Sequence, residues 1–192
     1  QPEATYQSIN WNYMPLAGGF IVHPHLQVTA STTPTNYYTA MLGMLGRYRA
    51  KHGTDFWHDL AIREEQLGER FIARMGHMTW LAAFAPLGVF DIIGIMDEAY
   101  RPSRMRDEVM NDLVDGVLKV LGYIDSLNMY SLNMSLYFMP DTDVFTPHVR
   151  ICPRVSIPPF GTSQINYMRM LHNEPMTTMK PEDVCQGMKL LW

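Results

Sequence analysis

The chain of 192 residues contains only two cysteines, Cys152 and Cys185, and neither lies in a CxxC pair or another spacing typical of metal ligands. Two cysteines cannot build the disulfide framework that stabilises many small secreted domains. No apolar run reaches the ~20 residues needed to cross a bilayer, and no signal peptide is recognisable. We therefore expect a cytoplasmic protein that does not bind or span a membrane.

A surplus of basic residues is also missing, because the net charge is -4 at pH 7. A general nucleic-acid-binding protein usually presents a basic face, so nucleic acid is not an expected partner. A small anionic ligand stays possible in principle, since its site needs only a few local cations. The sequence also lacks GxGxxG, Walker A, GxSxG and zinc-finger spacings, and with them the signatures of several nucleotide-binding, hydrolase and metal-binding classes.

The chain is rich in apolar residues, which make up 47% of it against 18% charged residues. This composition supports a substantial core in one domain, or in two small domains that share a core. Between Ala4 and Gly46 the chain has no Asp, Glu, Lys or Arg, although Asn, Thr, Gln and His are frequent. An uncharged but polar stretch indicates buried strands, a ligand site or a subunit interface.

Hydrophobic periodicity and turn residues predict strands, two helices, more strands, a long helix, strands and a final helix. The predicted strands span residues 9–14, 19–30, 70–75, 78–85, 89–96, 133–139 and 148–152. A first helical pattern opens at Pro34 and Asn36 and ends at His52-Gly53, and the other predicted helices span residues 56–67, about 104–126 and 181–192. Asp55 and Ser103 are the expected N-caps of the second and third helices. This order is typical of an α+β fold with a mainly antiparallel sheet.

The segment HPHLQ, residues 23–27, contains the candidate catalytic residues. If it is a strand, His23, His25 and Gln27 share one face. A neutral imidazole is a good nucleophile near pH 7 and an amide can donate to a phosphoryl oxygen, which suits covalent transfer at phosphorus. Gly19, just before the segment, would let a ligand approach the backbone closely. The alternative is that these side chains form a polar strand face for packing alone.

HPHLQ resembles the HPHxQ signature of the galactose-1-phosphate uridylyltransferases, a branch of the histidine-triad superfamily. The resemblance covers most of the chain from about Asn10, and rests beyond the signature on segments 48–69, 77–95, 148–154 and 165–191. It implies a histidine-triad-like sheet with flanking helices: one complete repeat preceded by the last strands of another. Residues 1–50 would end the first half and residues 51–192 would form the second. The chain would then be part of a longer protein.

The resemblance implies a double displacement in galactose metabolism. His25 would attack the α-phosphorus of a nucleotide sugar, and a sugar 1-phosphate would then take the nucleoside monophosphate, UMP, from the histidine. Gln27 would hold a phosphoryl oxygen. His23 matches a ligand of a structural zinc ion whose cysteine ligands would lie upstream of this chain. A homodimer is also implied.

Departures from the family pattern concern phosphate and metal binding. Residues 20–22 lack a serine that contacts phosphate in the family. Of a pair of histidines two apart in the second half only His148 is present, with Arg150 in the other place, which argues against a second metal. From the residues alone, His148, Arg150 and Arg154 share a strand face and are candidates for binding substrate phosphate. The alternative is a solvated strand end.

Three other functions remain open at this point. A phosphorylase or hydrolase of dinucleoside polyphosphates would use His25 in the same way but pass the nucleotide to phosphate or water. A nucleotide-binding protein without turnover would keep binding its ligand after loss of His25. A structural fragment whose partner half carries the rest of the site would bind nothing by itself.

Overall fold

The computed structural model describes residues 4–21, 23–96, 106–139, 145–157, 159 and 162–192. The strands described are β1 (Tyr6–Tyr13), β2 (Gln27–Ser31), β3 (Phe71–Met75), β4 (Met78–Ala82), β5 (Ile92–Met96), β6 (Ser131–Phe138), β7 (His148–Arg154), β8 (Ser156–Ile157) and β9 (Thr162–Ser163). The α-helices described are α1 (Asn36–His52), α2 (Phe56–Leu67), α3 (Asp107–Ser126), α4 (Tyr167–Leu171) and α5 (Pro181–Lys189). A 3₁₀ turn, Pro15–Ala17, follows β1.

Seven strands form one sheet in the order β2-β1-β6-β7-β5-β4-β3, and every neighbouring pair is antiparallel. The short strands β8 and β9 pair separately. The α+β fold with a mainly antiparallel sheet and flanking helices is thereby confirmed. Because β1 pairs with β6, the strands before residue 50 lie in the same sheet as those after it. The division into 1–50 and 51–192 stays a prediction.

Local sequence explains the first two helices. Thr35 caps α1 by accepting from the backbone N–H of Tyr38, and Gly53 ends it in the left-handed conformation. Asp55 caps α2, as predicted, by accepting from the N–H groups of Trp57 and His58. Side-chain acceptors at an N-cap satisfy backbone donors that have no partner within the helix. The predicted bounds of α2 are confirmed, and α1 lies within the helical pattern predicted between Pro34 and Gly53.

Helices cover both faces of the sheet. On one face the buried side chains of α3 and α5, including Val120 and Met188, pack against Trp80 and other strand residues. On the other face α1 and α2 pack through Leu45 and Trp57 against β4 and β5. This second face becomes polar where it continues over β7, β6 and β1. The polar part carries most of the predicted site residues.

Several predicted boundaries were wrong. The predicted strand 19–30 is a strand only from Gln27 to Ser31, because the 3₁₀ turn diverts the chain and Pro24 has no N–H for a ladder. The strands predicted at 78–85 and 89–96 stop at Ala82 and start at Ile92. The loop between them is closed by the Ala83 N–H donating to the Asp91 carbonyl.

The remaining differences concern helix ends. The third helix begins at Asp107, and its expected cap Ser103 lies outside the described residues. The last helix ends at Lys189 instead of residue 192. The short helix α4 was not predicted, although Asn166 caps it by the usual mechanism. Within the described part of the chain, no helix combines the length and apolar character that crossing a membrane requires.

Candidate functional site

His25 lies in the loop that leads into β2. Its ring Nδ1 is 3.1 Å from the carbonyl oxygen of His23. A carbonyl oxygen only accepts, so Nδ1 carries the proton in the neutral ring and Nε2 keeps its lone pair. No other hydrogen bond of His25 is found among the residues that the structure describes. The ring is half-buried and presents Nε2 in the state that a nucleophile requires.

The prediction that His23, His25 and Gln27 share a strand face was wrong for the two histidines. Both precede β2, and only Gln27 belongs to the strand. The rings of His23 and His25 are nevertheless near neighbours, with centroids 5.4 Å apart. Pro24 between them cannot donate a ladder hydrogen bond, which is why the chain enters the sheet only after them.

Gly19 is buried against the end of β1, and its N–H donates to the Met14 carbonyl at 3.2 Å. A Cβ atom at this position would lie 2.8 Å from the backbone oxygen of Asn12. The close approach that this glycine permits is therefore between two segments of the chain itself. The expectation that a ligand approaches the backbone at Gly19 stays a prediction.

A row of polar residues crosses four strands on one face of the sheet. Gln27 on β2 is opposite Asn10 on β1, Asn10 is opposite Ser135 on β6, and Ser135 is opposite Arg150 on β7. Directly opposed residues of antiparallel strands project to the same face. The Ser135 hydroxyl donates to Oδ1 of Asn10 at 2.8 Å, which ties two members of the row together. Gln27 and Arg150 therefore belong to one polar surface.

A cavity of about 230 Å³ lies over the β6–β7 part of this surface. Asn133, Ser135, Arg150 and Arg154 form its floor, and residues 164–169 form part of its wall. The described lining contains three arginines, Arg150, Arg154 and Arg169, and no carboxylate. A cavity with this lining favours an anionic ligand, because planar guanidinium groups bind phosphate and carboxylate oxygens well.

Arg150 is held by the wholly buried carboxylate of Asp91. Both Nε and an Nη of the guanidinium donate to the same oxygen, Oδ2, and the backbone N–H of Leu87 donates to it as well. Burial by itself would lower the pKa of Arg150, but the charge and hydrogen bonds of Asp91, together with the nearby Tyr37 hydroxyl, outweigh burial and raise the pKa above its ordinary value. Arg150 is therefore a fixed cation whose charge is partly neutralised within the protein.

Arg154 is in a different electrostatic setting. Its Nη1 donates to Oδ1 of Asn133 at 3.3 Å. Burial lowers the pKa of Arg154, and the nearby positive charge of Arg169 lowers it further. Two neighbouring cations in a partly buried cavity repel each other, and a bound anion would relieve that repulsion. Arg154 and Arg169 thus bring two positive charges close together in the lining of the cavity.

His148 was expected to contact a ligand, but its side chain is entirely buried. Its Nδ1 lies 2.9 Å from the Thr146 carbonyl, and its Nε2 lies 2.7 Å from the Tyr37 hydroxyl. Burial lowers the pKa of His148 to about 3, and the charge of Arg150 also lowers it, although the hydrogen bond to Thr146 opposes both. The expectation that His148 contacts phosphate directly was therefore wrong. His148 instead supports Tyr37, whose ring centroid lies 5.9 Å from the Arg150 guanidinium.

His23 was the predicted zinc ligand, and its side chain is exposed. The described part of the chain brings together no group of three or more His, Cys, Asp or Glu side chains that could hold a metal ion. Zinc binding by His23 stays a prediction.

Several residues of this surface escaped the sequence analysis. Asn133 and Ser135 alternate with Leu132 and Leu136 along β6, and this polar face was a signal that could have been used. Arg169 was missed because α4 was not predicted, and Asp91 because no local pattern links it to a partner 59 residues away.

No family model matches the chain. An uncharacterized protein of Archaeoglobus fulgidus is 30% identical over 193 residues, which cover the whole of this chain and 58% of that protein. A uridylyltransferase structure superimposes with a TM-score of 0.82 at 18% identity, over 98% of this chain and 61% of the other.

Two plant structures are also similar to this chain. A GALT-like protein from Arabidopsis thaliana superimposes with a TM-score of 0.79 at 20% sequence identity. An ADP-glucose phosphorylase from the same plant, solved with bound ADP-glucose, superimposes with a TM-score of 0.77, also at 20% identity. Both alignments cover 98% of this chain, against 62% and 59% of those chains. The chain thus spans about three fifths of the proteins it resembles, and at these identities the likeness shows a shared fold.

Proposed function

We propose that this chain carries the nucleophile of a nucleotidyltransferase that moves a nucleoside monophosphate, UMP, between a nucleotide sugar and a sugar 1-phosphate. The observation that carries the proposal is the contact of His25 Nδ1 with the His23 carbonyl, because it fixes the tautomer in which Nε2 can attack. The fold supports it, since solved structures that share the fold include a uridylyltransferase and a phosphorylase with bound ADP-glucose.

In the first step, Nε2 of His25 attacks the α-phosphorus of the nucleotide sugar. A phosphorus–nitrogen bond forms while the bond to the bridging oxygen breaks, and the sugar 1-phosphate leaves with that electron pair. The Nδ1 proton stays on the ring, where the His23 carbonyl stabilises the positive charge of the nucleotidyl-imidazolium. In the second step, an oxygen of another sugar 1-phosphate attacks the phosphorus and His25 leaves unchanged.

Other residues of the polar face also have roles in the proposed reaction. The Gln27 amide donates to a non-bridging phosphoryl oxygen as charge shifts onto it in the transition state. Gln27 is two strands from Ser135, which is roughly 10 Å at the ordinary strand spacing. The cavity beyond Ser135, with Arg154 and Arg169, takes the phosphate of a sugar 1-phosphate. Homodimerisation, and a structural zinc ion with His23 as one ligand, also belong to the proposal.

Intact-mass spectrometry tests this function. The protein is incubated separately with UDP-glucose and ADP-glucose, beside the variants His25→Ala and His172→Ala. An acid-labile adduct of one nucleoside monophosphate is expected on the wild type and on His172→Ala, whose histidine is exposed and far along the sequence in another loop. The same adduct on His25→Ala, or none on any folded sample that binds nucleotide, would refute the proposed mechanism.

The molecule that accepts the nucleoside monophosphate from His25 distinguishes a transferase from a phosphorylase or a hydrolase. The isolated adduct is exposed in turn to galactose 1-phosphate, inorganic phosphate and buffer. Release as a nucleotide sugar supports the transferase. Release only as a nucleoside diphosphate would assign a phosphorylase, the activity named for one of the similar structures. Release by water alone would assign a hydrolase.

A further inference from the structure

Asn133 on β6 is hydrogen-bonded to two parts of the molecule that the proposed reaction uses separately. Its Nδ2 donates to the Ala17 carbonyl at 2.9 Å and to Oδ1 of Asn12 at 2.8 Å. Its Oδ1 accepts from Nη1 of Arg154 at 3.3 Å. A backbone carbonyl only accepts and a guanidinium only donates, so these partners fix which way the amide points. An aspartate or a leucine has nearly the same outline but cannot make both contacts.

Ala17 is the last residue of the 3₁₀ turn from which the chain enters the loop that carries His25. The turn begins at Met14, whose φ of 70° and ψ of 161° lie in a strained region that persists only where surrounding contacts hold it. The backbone N–H groups of Ala17 and Gly19 donate to the Met14 carbonyl. From the sheet, the Asn133 amide donates to the Ala17 carbonyl. The course of the chain toward His25 therefore depends in part on Asn133.

The other end of Asn133 lies at the β6–β7 cavity, which both Asn133 and Arg154 line. Because an amide is neutral, its oxygen orients the Arg154 guanidinium without cancelling the charge. Arg150 differs, since the carboxylate of Asp91 holds it and neutralises part of its charge. Asn133 thus orients a cation whose charge still attracts an anion in the cavity.

We infer that Asn133 is a positioning residue, which holds the turn before the His25 loop and the Arg154 guanidinium in a fixed relation to each other. The inference rests on the proposed function in one respect, that His25 is the nucleophile. In that reaction Asn133 sets how the attacking nitrogen is placed relative to the phosphate that the cavity takes. A displacement of about 1 Å can slow a reaction about a hundredfold. Loss of the two contacts should therefore lower the rate constant of nucleotidyl transfer.

Quench-flow intact-mass spectrometry measures this effect on the formation of the His25 adduct. Asn133→Leu and Asn133→Asp are compared with Asn111→Leu and Asn111→Asp, which make the same changes on the exposed surface of α3. At a saturating concentration of the nucleotide sugar that labels the wild type, both Asn133 variants should react about tenfold or more slowly, and the Asn111 variants should not. A partly unfolded sample forms less adduct at an unchanged rate constant. That result for the Asn133 variants would overturn the inference.

Titration calorimetry with pyrophosphate tests the contact with Arg154 and needs no reaction. The carboxylate introduced by Asn133→Asp pairs with Arg154 and should raise the dissociation constant of pyrophosphate about tenfold or more. Asn133→Leu keeps the charge of Arg154 and should have a smaller effect. Asn111→Asp, with the same change in net charge, should have none. No weakening by Asn133→Asp, or equal weakening by the two aspartate substitutions, would overturn the inference.

The ¹⁵N resonances of the His25 ring test the contact with the turn, again without the reaction. In the wild type Nδ1 should carry the proton. Asn133→Leu should shift both ring nitrogens toward a mixture of the two neutral forms, and Asn111→Leu should not. Unchanged His25 resonances in Asn133→Leu would overturn the inference. If the wild type forms no adduct with any donor, the proposed function fails, while the pyrophosphate titration and the NMR measurement still decide the role of Asn133.

Discussion

The hydroxyl of Tyr37 lies 2.7 Å from Nε2 of His148 and joins the first helix to the seventh strand. His148 donates through Nδ1 to the Thr146 carbonyl, so its Nε2 must accept from Tyr37 in the neutral ring. The Tyr37 ring also stacks on Tyr137, with centroids 4.3 Å apart, and lies below the Arg150 guanidinium. A buried histidine thus fixes a tyrosine that supports a cation of the candidate site.

Replacing Tyr37 by Phe removes the donor and leaves Nε2 of His148 buried without a partner. A buried acceptor in this state costs about 1–3 kcal/mol. We expect the free energy of unfolding, measured by urea denaturation at pH 7, to fall by that amount. The matched control is Tyr130→Phe, which removes a hydroxyl from a side chain that is 64% exposed and should change stability by less than about 0.5 kcal/mol. Equal effects of the two substitutions would contradict the assigned hydrogen bond.

His148 also predicts how stability depends on pH. Its folded-state pKa of about 3 lies below the unfolded value of ~6.5, and burial is the main cause. Between these values the unfolded chain binds more protons than the folded one, so acid favours unfolding. The stabilisation is complete above pH ~6.5 and is lost as the pH falls toward 3, with a slope of up to about 1.4 kcal/mol per pH unit.

The measurement compares the wild type with His148→Gln by urea denaturation from pH 4 to pH 7. Carboxylates titrate in the same range in both proteins, so the difference between the two slopes isolates the histidine. We expect a steeper loss of stability for the wild type between pH 6 and pH 4. Parallel curves would mean that His148 protonates in the folded protein as easily as in the unfolded chain.

The sequence predicted what depends on local pattern. Caps and periodicity located α1 and α2, and the alternation of apolar residues located the core strands. It failed where a distant contact decides the conformation. The polar character of His148 suggested a ligand contact. In the structure its Nε2 is instead hydrogen-bonded within the core to the hydroxyl of Tyr37, which is 111 residues away in the sequence. The strand predicted through His25 was interrupted by the 3₁₀ turn before it and by Pro24, although Pro24 was itself a local signal against a ladder.

Gly19 gives a direct test of how the chain packs on β1 after that turn. A methyl group there would approach the Asn12 carbonyl oxygen to 2.8 Å, and the obstructing atom belongs to the backbone. We expect Gly19→Ala to lower the free energy of unfolding by about 1–3 kcal/mol through overpacking. Gly46→Ala is the opposite case, because Gly46 lies within α1 with open space around it and alanine should stabilise the helix by about 0.5–1 kcal/mol. Stabilisation by both substitutions would contradict the described loop.

Arg154 and Arg169 predict that a phosphate-rich anion stabilises the protein. Their mutual repulsion is part of the reason why the pKa of Arg154 is lowered, and an anion between them removes that cost. A ligand that binds only the folded state adds about 2.7 kcal/mol at 100 times its dissociation constant. We expect pyrophosphate to raise the free energy of unfolding by an amount that grows with its concentration. Potassium chloride at the same ionic strength should not reproduce the increase.

The double variant Arg154→Gln/Arg169→Gln should lose this response, while Arg47→Gln, which removes an exposed arginine from α1, should keep it. The decisive quantity is the increment that pyrophosphate adds to each protein, so a variant of lower basal stability remains informative. A full response in the double variant would place the anion outside the β6–β7 cavity. If Arg47→Gln also lost the response, stabilisation by pyrophosphate would depend only on the overall charge of the protein. The double variant and Arg47→Gln have in common only the loss of positive charge. Loss in the double variant alone would locate on this chain the cationic cavity that transfer to a sugar 1-phosphate requires.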